Sequence, residues 1–251
     1  MKKLGLITSS LFLTLSILAQ NDDVNKNWQS LFNGNDLTGW KVNCLSEDNE
    51  KDFWKVSNGV IECNSIGQPN HNYVWLMHEN EYGDFELQLK FQIFKSTAGN
   101  SGVQFRSRFD ESETARGGGW LNGPQADIHP PSPFRAGMIY DETDGVNRWI
   151  YPSMPDWKIS ENDVPESALK TQLFYADENQ DVWNTMKIHC DGMKIKVTVN
   201  NNVVTDFDAT EILDDSIHKG KRVGASGQIA LQLHASDEIR IRFKDIKIRK
   251  L

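Results

Sequence analysis

The chain has 251 residues, with 35 acidic against 27 basic side chains, 38% hydrophobic content and eight tryptophans. An excess of acid of this size gives no overall attraction for nucleic acid or anionic membranes, so neither is an expected partner. The apolar and aromatic content is too high for a disordered chain and sufficient to fill a core.

In chain order, Lys2 and Lys3 precede an apolar run from Leu4 to Leu18, which exits into Ala19-Gln20-Asn21-Asp22-Asp23. A basic start, a short apolar stretch and a polar exit predict a secretory signal peptide over residues 1–19. The run is shorter than the roughly 20 residues a membrane span needs. The expectation is export to the periplasm or cell exterior, with no membrane insertion afterwards. Loss of the two lysines takes the formal charge from −8 to −10. Three cysteines in an oxidising compartment allow one internal disulfide at most, with Cys44–Cys63 a candidate pair and Cys190 expected as a buried thiol.

From Trp28 onward nearly every ordered stretch alternates apolar and polar residues with period two, the pattern of half-buried strands. Phe85, Leu87, Leu89, Phe91 and Ile93 form one such series, and Ile195, Val197 and Val199 another. Asn58-Gly59, Asp191-Gly192 and Asn200-Asn201 stand where tight hairpin turns are needed. In the last strand the apolar side changes phase near Lys244-Asp245, which predicts a β-bulge. Short helical turns are expected only near Glu166–Lys170 and Ala209–Leu213. These elements predict an all-β, two-sheet antiparallel sandwich forming one domain over residues 28–251. Two segments break the rhythm, a Gly-rich charged stretch at Asp110–Gly123 and a proline- and aromatic-rich stretch at Pro130–Pro165. Long irregular segments on a β scaffold are usually functional loops.

Three strands carry unusual groups on their polar side: Gln104 with Arg106, Gln125 with Asp127, and Gln232 with His234. Side chains two apart lie on one face, so each pair can reach one groove if the strands are neighbours. Amides, a guanidinium, a carboxylate and an imidazole suit a hydroxyl-rich ligand, whereas a bland solvated face would favour Lys, Glu and Thr. Trp120, His129, Tyr140 and Glu142 lie in or beside the irregular segments and are candidates for the same pocket, with Trp120 or Trp149 as the nearest aromatic wall.

These residues also carry a family resemblance. Leu31-Phe32-Asn33-Gly34-Asn35-Asp36-Leu37-Thr38-Gly39-Trp40, Asn100-Ser101-Gly102-Val103-Gln104-Phe105-Arg106, Gly123-Pro124-Gln125-Ala126-Asp127-Ile128, Tyr140-Asp141-Glu142, Trp183-Asn184 and Gly227–His234 follow one another as blocks of the bacterial 3-keto-disaccharide hydrolase family do. The chain resembles that family from Trp28 to Leu251. The resemblance implies a concanavalin-like jelly roll and cleavage of 3-keto-glycosides by C2 deprotonation, elimination and hydration. For that chemistry the candidate catalytic residues are Arg106, Asp127, Glu142 and His234, with Gln104, Gln125, Tyr140, Gln232, Trp120 and His129 as candidate substrate contacts. An oligosaccharide or glycoside is the expected partner. No cofactor is required by the sequence, although Asp127, Glu142 and His234 could supply oxygen and nitrogen ligands to a divalent metal. Many relatives carry an acid at the place of Lys90, which the reading sets beside the Asn100–Arg106 strand. Two other classes compete: a non-catalytic secreted lectin, and a conventional two-carboxylate glycosidase on the same fold.

Overall fold

A computed structural model of the chain describes residues 27–112, 114–129 and 134–251. The expected signal peptide lies outside the described residues, as does segment 130–133 of the proline-rich stretch. Among the described residues no helix is long and apolar enough to cross a membrane.

The strands form two packed sheets. The back sheet runs β15 (Asn202–Asp208), β14 (Lys194–Val199), β13 (Asn184–Asp191), β6 (Phe85–Phe94), β17 (Arg240–Lys250), β4 (Val60–Asn64) and β3 (Trp54–Ser57). Two short strands join it: β1 (Gln29–Ser30) pairs antiparallel with β17, and β12 (Tyr175–Ala176) pairs parallel with β6. The front sheet runs β11 (Arg148–Tyr151), β10 (Ile139–Asp141), β9 (Pro124–Ile128), β7 (Ser101–Asp110), β16 (Gly227–Leu233), β5 (Val74–Tyr82) and β2 (Trp40–Cys44), with β8 (Trp120–Asn122) on β7. This is the two-sheet jelly-roll sandwich expected from the period-two pattern, apart from the parallel β12–β6 pair.

The inward residues of both sheets form one core that includes Leu87, Leu89 and Phe91 from the back and Val103, Ala126, Ile128, Leu231 and Leu233 from the front. Burial of each Val, Leu, Ile or Phe side chain among them stabilises by about 1.5–3 kcal/mol. The hairpins turn where expected: Asn58 and Gly59 have φ of 51° and 76°, and Asn200 and Asn201 have 48° and 66°. These left-handed values give the reverse turn whose twist matches the flanking strands. The bulge in β17 is present, with a register shift against β6 between Lys244 and Lys247 and Asp245 at φ 54°. Of the two helical turns expected, Glu166–Leu169 forms. Ala209–Leu213 forms too, as a single turn in which Ile212 N and Leu213 N both donate to Ala209 O at 3.0 Å, and a further helix follows at Ser216–Lys221, capped by the Asp215 side chain.

Three expectations are corrected. Cys44 lies in β2 of the front sheet and Cys63 in β4 of the back sheet, and all three cysteines are buried free thiols. Lys90 stands on β6 in the back sheet, where it pairs with Asp245 at 2.8 Å, and so is not beside the Asn100–Arg106 strand.

The third concerns Arg106. The register between β7 and β16 shifts between Gln228 and Ala230, and Arg106 itself has φ 49°. A bulge at this point breaks the alternation, so Arg106 does not share the face of Gln104. Its fully buried side chain instead reaches across the end of the sandwich. Nε donates to Gly83 O at 2.8 Å, Nη1 donates to Gly192 O at 2.7 Å and Gly224 O at 3.2 Å, and Nη2 pairs with Asp84 at 3.0 Å. Gly192 belongs to the β13–β14 turn, so one guanidinium ties both sheets together. Each carbonyl left unpaired in a buried site costs about 1–3 kcal/mol. Arg106→Leu should therefore lower thermal stability by at least about 3 kcal/mol, or roughly 6–12 °C in Tm. Calorimetric unfolding checks this, and an unchanged Tm would remove Arg106 from its structural role.

Candidate functional site

The outer face of the front sheet is not plain surface. Trp75 and Met77 of β5 and Ala230 of β16 pack against Ala115, Trp120 and Leu121 from the Gly-rich stretch, forming a second, smaller apolar cluster outside the main core. Tyr73 packs against it and stacks on Trp75 with ring centroids 5.5 Å apart. Beside this cover the sheet opens into a pocket of about 280 Å³.

Neighbouring strands deliver the floor. In the β7–β9 ladder Gly102 stands opposite Asp127, and Gln104 opposite Gln125. A Cβ on Gly102 would meet the Gln125 carboxamide at 2.3 Å, so the missing side chain is what lets Gln125 lie across the strand. Asn100-Ser101-Gly102 therefore does more than turn the chain. Glu142 follows β10, held by its N–H to Gly123 O at 3.0 Å, and its Oε1 accepts from Gln232 Nε2 at 3.2 Å. Directly before it, the buried Asp141 carboxylate meets His218 Nε2 at 2.9 Å, while His218 Nδ1 meets Asp215 at 2.8 Å. That link fastens the end of β10 to the Ser216–Lys221 helix.

The sequence candidates separate cleanly. Gln125, Asp127, Tyr140, Glu142 and His234 line the one pocket. Gln232 is buried behind Glu142, and Trp120 supports Glu142 from behind by donating Nε1–H to its backbone carbonyl. Gln104 is also buried and donates to Leu121 O at 3.0 Å, because β8 folds over it. His129 lies outside the pocket lining, its carbonyl accepting from Arg135 N–H at 3.2 Å. Arg106 is at the sandwich end described above. Tyr73, Arg116, Arg135, Asn147 and Trp157 line the pocket without having been singled out, Asn100 was noted only as part of a family block, and Trp149 was foreseen as a wall. Most come from the irregular stretches, where no period marks a side chain's direction.

Electrostatically the pocket holds two carboxyls that resist ionisation. Burial drives Asp127 up to about 7; the nearby Asp237 adds to this, and Arg135 and the Ile128 N–H oppose it. Burial likewise drives Glu142 up to about 7, against the Gln232 hydrogen bond and Arg116 and with help from the charges of Asp127 and Asp141. Arg135 Nε stands 3.5 Å from Asp127 Oδ2, and its guanidinium lies 5.6 Å from the Trp149 ring. Arg116 covers Trp120 at 3.9 Å and is held by Asp144 at 3.2 Å and by Asn147.

His234 has its protons assigned by its partners. Nδ1 faces Ala235 O at 3.0 Å, an acceptor only, so it carries the hydrogen; Nε2, 2.8 Å from the Tyr73 hydroxyl, accepts from it. Burial holds His234 below its ordinary range, outweighing the Asp237 charge, and burial raises the Tyr73 hydroxyl. Both are neutral near pH 7. Three buried acceptors in the lining, Asn100 Oδ1, Gln125 Oε1 and Asp127 Oδ1, make no hydrogen bond among the described residues. Open acceptors of this kind fit a ligand rich in hydroxyl donors. Among the described residues no group of three or more His, Cys, Asp or Glu side chains is placed to hold a metal ion.

A β sandwich with an acid-bearing, aromatic-walled pocket on one outer face belongs with the carbohydrate-handling proteins. Residues 27–249 match the family profile described as 3-keto-alpha-glucoside-1,2-lyase-like domain, and the chain belongs to that family. No curated protein matches the chain. Among solved structures it is similar to a candidate glycosyl hydrolase from Parabacteroides distasonis ATCC 8503, with TM-score 0.55, 18% identity, and coverage of 92% of this chain and 96% of that one. A second candidate glycosyl hydrolase from the same organism gives TM-score 0.51 and 19% identity over 90% of this chain and 100% of that one. These likenesses establish the fold.

The raised carboxyls make a signed prediction about stability. A carboxyl whose folded pKa is raised favours the folded state in its neutral form, so that stability is fully present below about pH 4 and is lost as pH climbs to about 7. Asp127→Asn and Glu142→Gln remove the cost of burying a charge. Each should raise Tm at pH 8 by at least about 3 °C and leave it nearly unchanged at pH 4. Thermal melts at the two pH values check this; equal shifts at both would mean the carboxyls are not destabilised by ionisation.

Proposed function

We propose that the chain cleaves 3-keto-α-glucosides by elimination, with subsequent hydration completing a net hydrolysis. The observation that carries the reading is the pair of buried carboxyls, Asp127 and Glu142, both raised to about 7 in one pocket. Near neutral pH such a pair offers a proton acceptor and a proton donor side by side. Membership of the 3-keto-alpha-glucoside-1,2-lyase-like family supports the same substrate class.

The chemistry follows from the ketone. A C3 carbonyl acidifies the C2 hydrogen, which one carboxylate removes while the electron pair moves onto the ketone oxygen. The cation once expected from Arg106 is supplied by Arg135, which lines the pocket beside Asp127. The Tyr73 hydroxyl also lines the pocket, and with its one hydrogen given to His234 Nε2 its oxygen is open to accept from a sugar hydroxyl. Return of the electron pair forms the C1–C2 double bond and breaks the C1–O bond. The departing oxygen takes a proton from the other carboxyl, and water then adds at C1. Open acceptors on Asn100, Gln125 and Asp127 receive sugar hydroxyls and hold the ring in place.

Incubation with 3-keto-trehalose and with unoxidised trehalose, followed by mass spectrometry, tests the reading. Turnover of the keto sugar alone is expected, and Asp127→Asn or Glu142→Gln should each lower kcat by about 10²–10⁴-fold. The pH profile should break near 7, the value to which both carboxyls are driven. Turnover of trehalose without oxidation overturns the mechanism, and glycan binding without any product would leave a lectin in its place.

A further inference from the structure

We infer that Trp157 is the platform for the leaving group and selects substrates whose aglycone is itself a ring with a flat apolar face, such as a second pyranose. The inference rests on the proposed cleavage of 3-keto-glucosides and assigns the other half of the substrate. Four observations lead to it. First, the pocket is small: its 280 Å³ lies at the lower edge of the roughly 300–1,000 Å³ that ligand sites occupy, so one ring fills the floor and a second must cross the rim.

Second, Trp157 stands on that rim with 63% of its surface exposed, the most of any large apolar side chain among the described residues. Leu169 and Phe174, also exposed, do not line the pocket. A lone exposed apolar residue needs no special explanation, but one at a pocket mouth, next to buried carboxyls, is placed where a ligand passes.

Third, the backbone around it is fixed on both sides. The Trp157 carbonyl accepts from Trp149 Nε1 at 3.0 Å, Trp149 N donates to Asp156 O at 3.2 Å, and Met154 N donates to Trp149 O at 3.0 Å. Lys158 N adds a bond to Asp156 Oδ1 at 2.8 Å. The exposed indole is therefore presented from an ordered loop, which reduces the entropy lost on binding.

Fourth, the support runs to the pocket floor. Trp149 is buried and meets Tyr140 edge-on with centroids 5.1 Å apart. Tyr140 and Glu142 bracket Asp141 at the end of β10, so the platform is held in register with the carboxyls through one hydrogen bond and one aromatic contact. The C–H face of a pyranose matches an indole, while its rim hydroxyls remain free for water.

The experiment compares wild type, Trp157→Ala and Trp157→Phe on two substrates, 3-keto-trehalose and methyl 3-keto-α-glucoside, which lacks an aglycone ring. Trp157→Ala should raise KM for 3-keto-trehalose roughly tenfold, equal to about 1.4 kcal/mol. It should leave both kcat and KM for the methyl glycoside within about twofold, and Trp157→Phe should recover most of the loss. Equal effects on both substrates, or none on either, overturn the inference while the cleavage reading stands. Should wild type turn over neither keto sugar, the cleavage reading fails. Calorimetric titration with trehalose and methyl α-glucoside then decides the platform alone: weakening confined to trehalose sustains it, and equal weakening or no binding overturns it.

Discussion

The site depends on desolvation of an outer sheet face that a sandwich would ordinarily leave wet. The Gly-rich stretch brings Ala115, Trp120 and Leu121 down onto Trp75, Met77 and Ala230, and the carboxyls beside that cover lose their water. Everything distinctive about the pocket follows. Asp127 and Glu142 are pushed toward neutrality by burial first and by charge only second. Without the cover both would be ordinary surface acids, ionised at pH 7 and too weakly basic to remove a carbon-bound proton at a useful rate. The glycines at 117–119 belong to this device, since Gly117 and Gly118 have φ of 88° and 115° and let the loop turn back over the sheet.

The cost of this environment is carried elsewhere in the fold. A pocket with three unpaired acceptors and two reluctant carboxyls contributes less to stability than the same area of apolar surface would. The surrounding elements are correspondingly tied. His218 lies buried between Asp141 and Asp215, and although burial opposes its proton, the hydrogen bonds and charges of the two carboxylates together raise its pKa. This contribution is strongest at low pH, present in full below the ordinary histidine range and lost as pH rises through the raised folded value. It secures the end of β10, one residue from Glu142, so an acid that resists ionisation sits beside a firmly paired one.

Period two made most of the fold legible in the sequence. Leu87, Val103, Ala126 and Leu231 face the core as their alternation requires, and the phase change at Lys244-Asp245 marks a real bulge. The same rule brought Gln125, Asp127 and His234 to one pocket. It failed for Arg106 because the bulge in β7 carries no comparable phase change: Val103 and Phe105 keep their alternation up to the residue where the backbone turns left-handed. It failed for Lys90 because alternation says which face a side chain occupies but not which sheet its strand joins. Arg116, Arg135 and Trp157 had no period to betray them. Their signal was only that charged and aromatic residues were concentrated in long irregular stretches, which located the walls without choosing among their residues.

Arg106 and the pocket residues also show how two sets of buried polar groups on one fold can be told apart. Composition does not separate them, since a guanidinium in a strand beside an amide suits either a clamp or a ligand contact. Satisfaction does. Arg106 donates to three carbonyls and one carboxylate of its own chain, so four of its five N–H bonds have partners there. Such a group, fully buried and absent from the pocket lining, contributes through the unfolding free energy. Asn100, Gln125 and Asp127 are held as firmly by their strands and loops, yet each keeps an acceptor without a partner among the described residues. A folded protein tolerates an open acceptor of this kind where something from outside completes it. The Tyr73–His234 pair stands between these cases. Its internal hydrogen bond fixes the imidazole tautomer, while both residues line the cavity. A hydroxyl that donates to a neutral imidazole can still accept from a ligand hydroxyl, so the pair meets a ligand without a buried ion in a pocket that already disfavours charge.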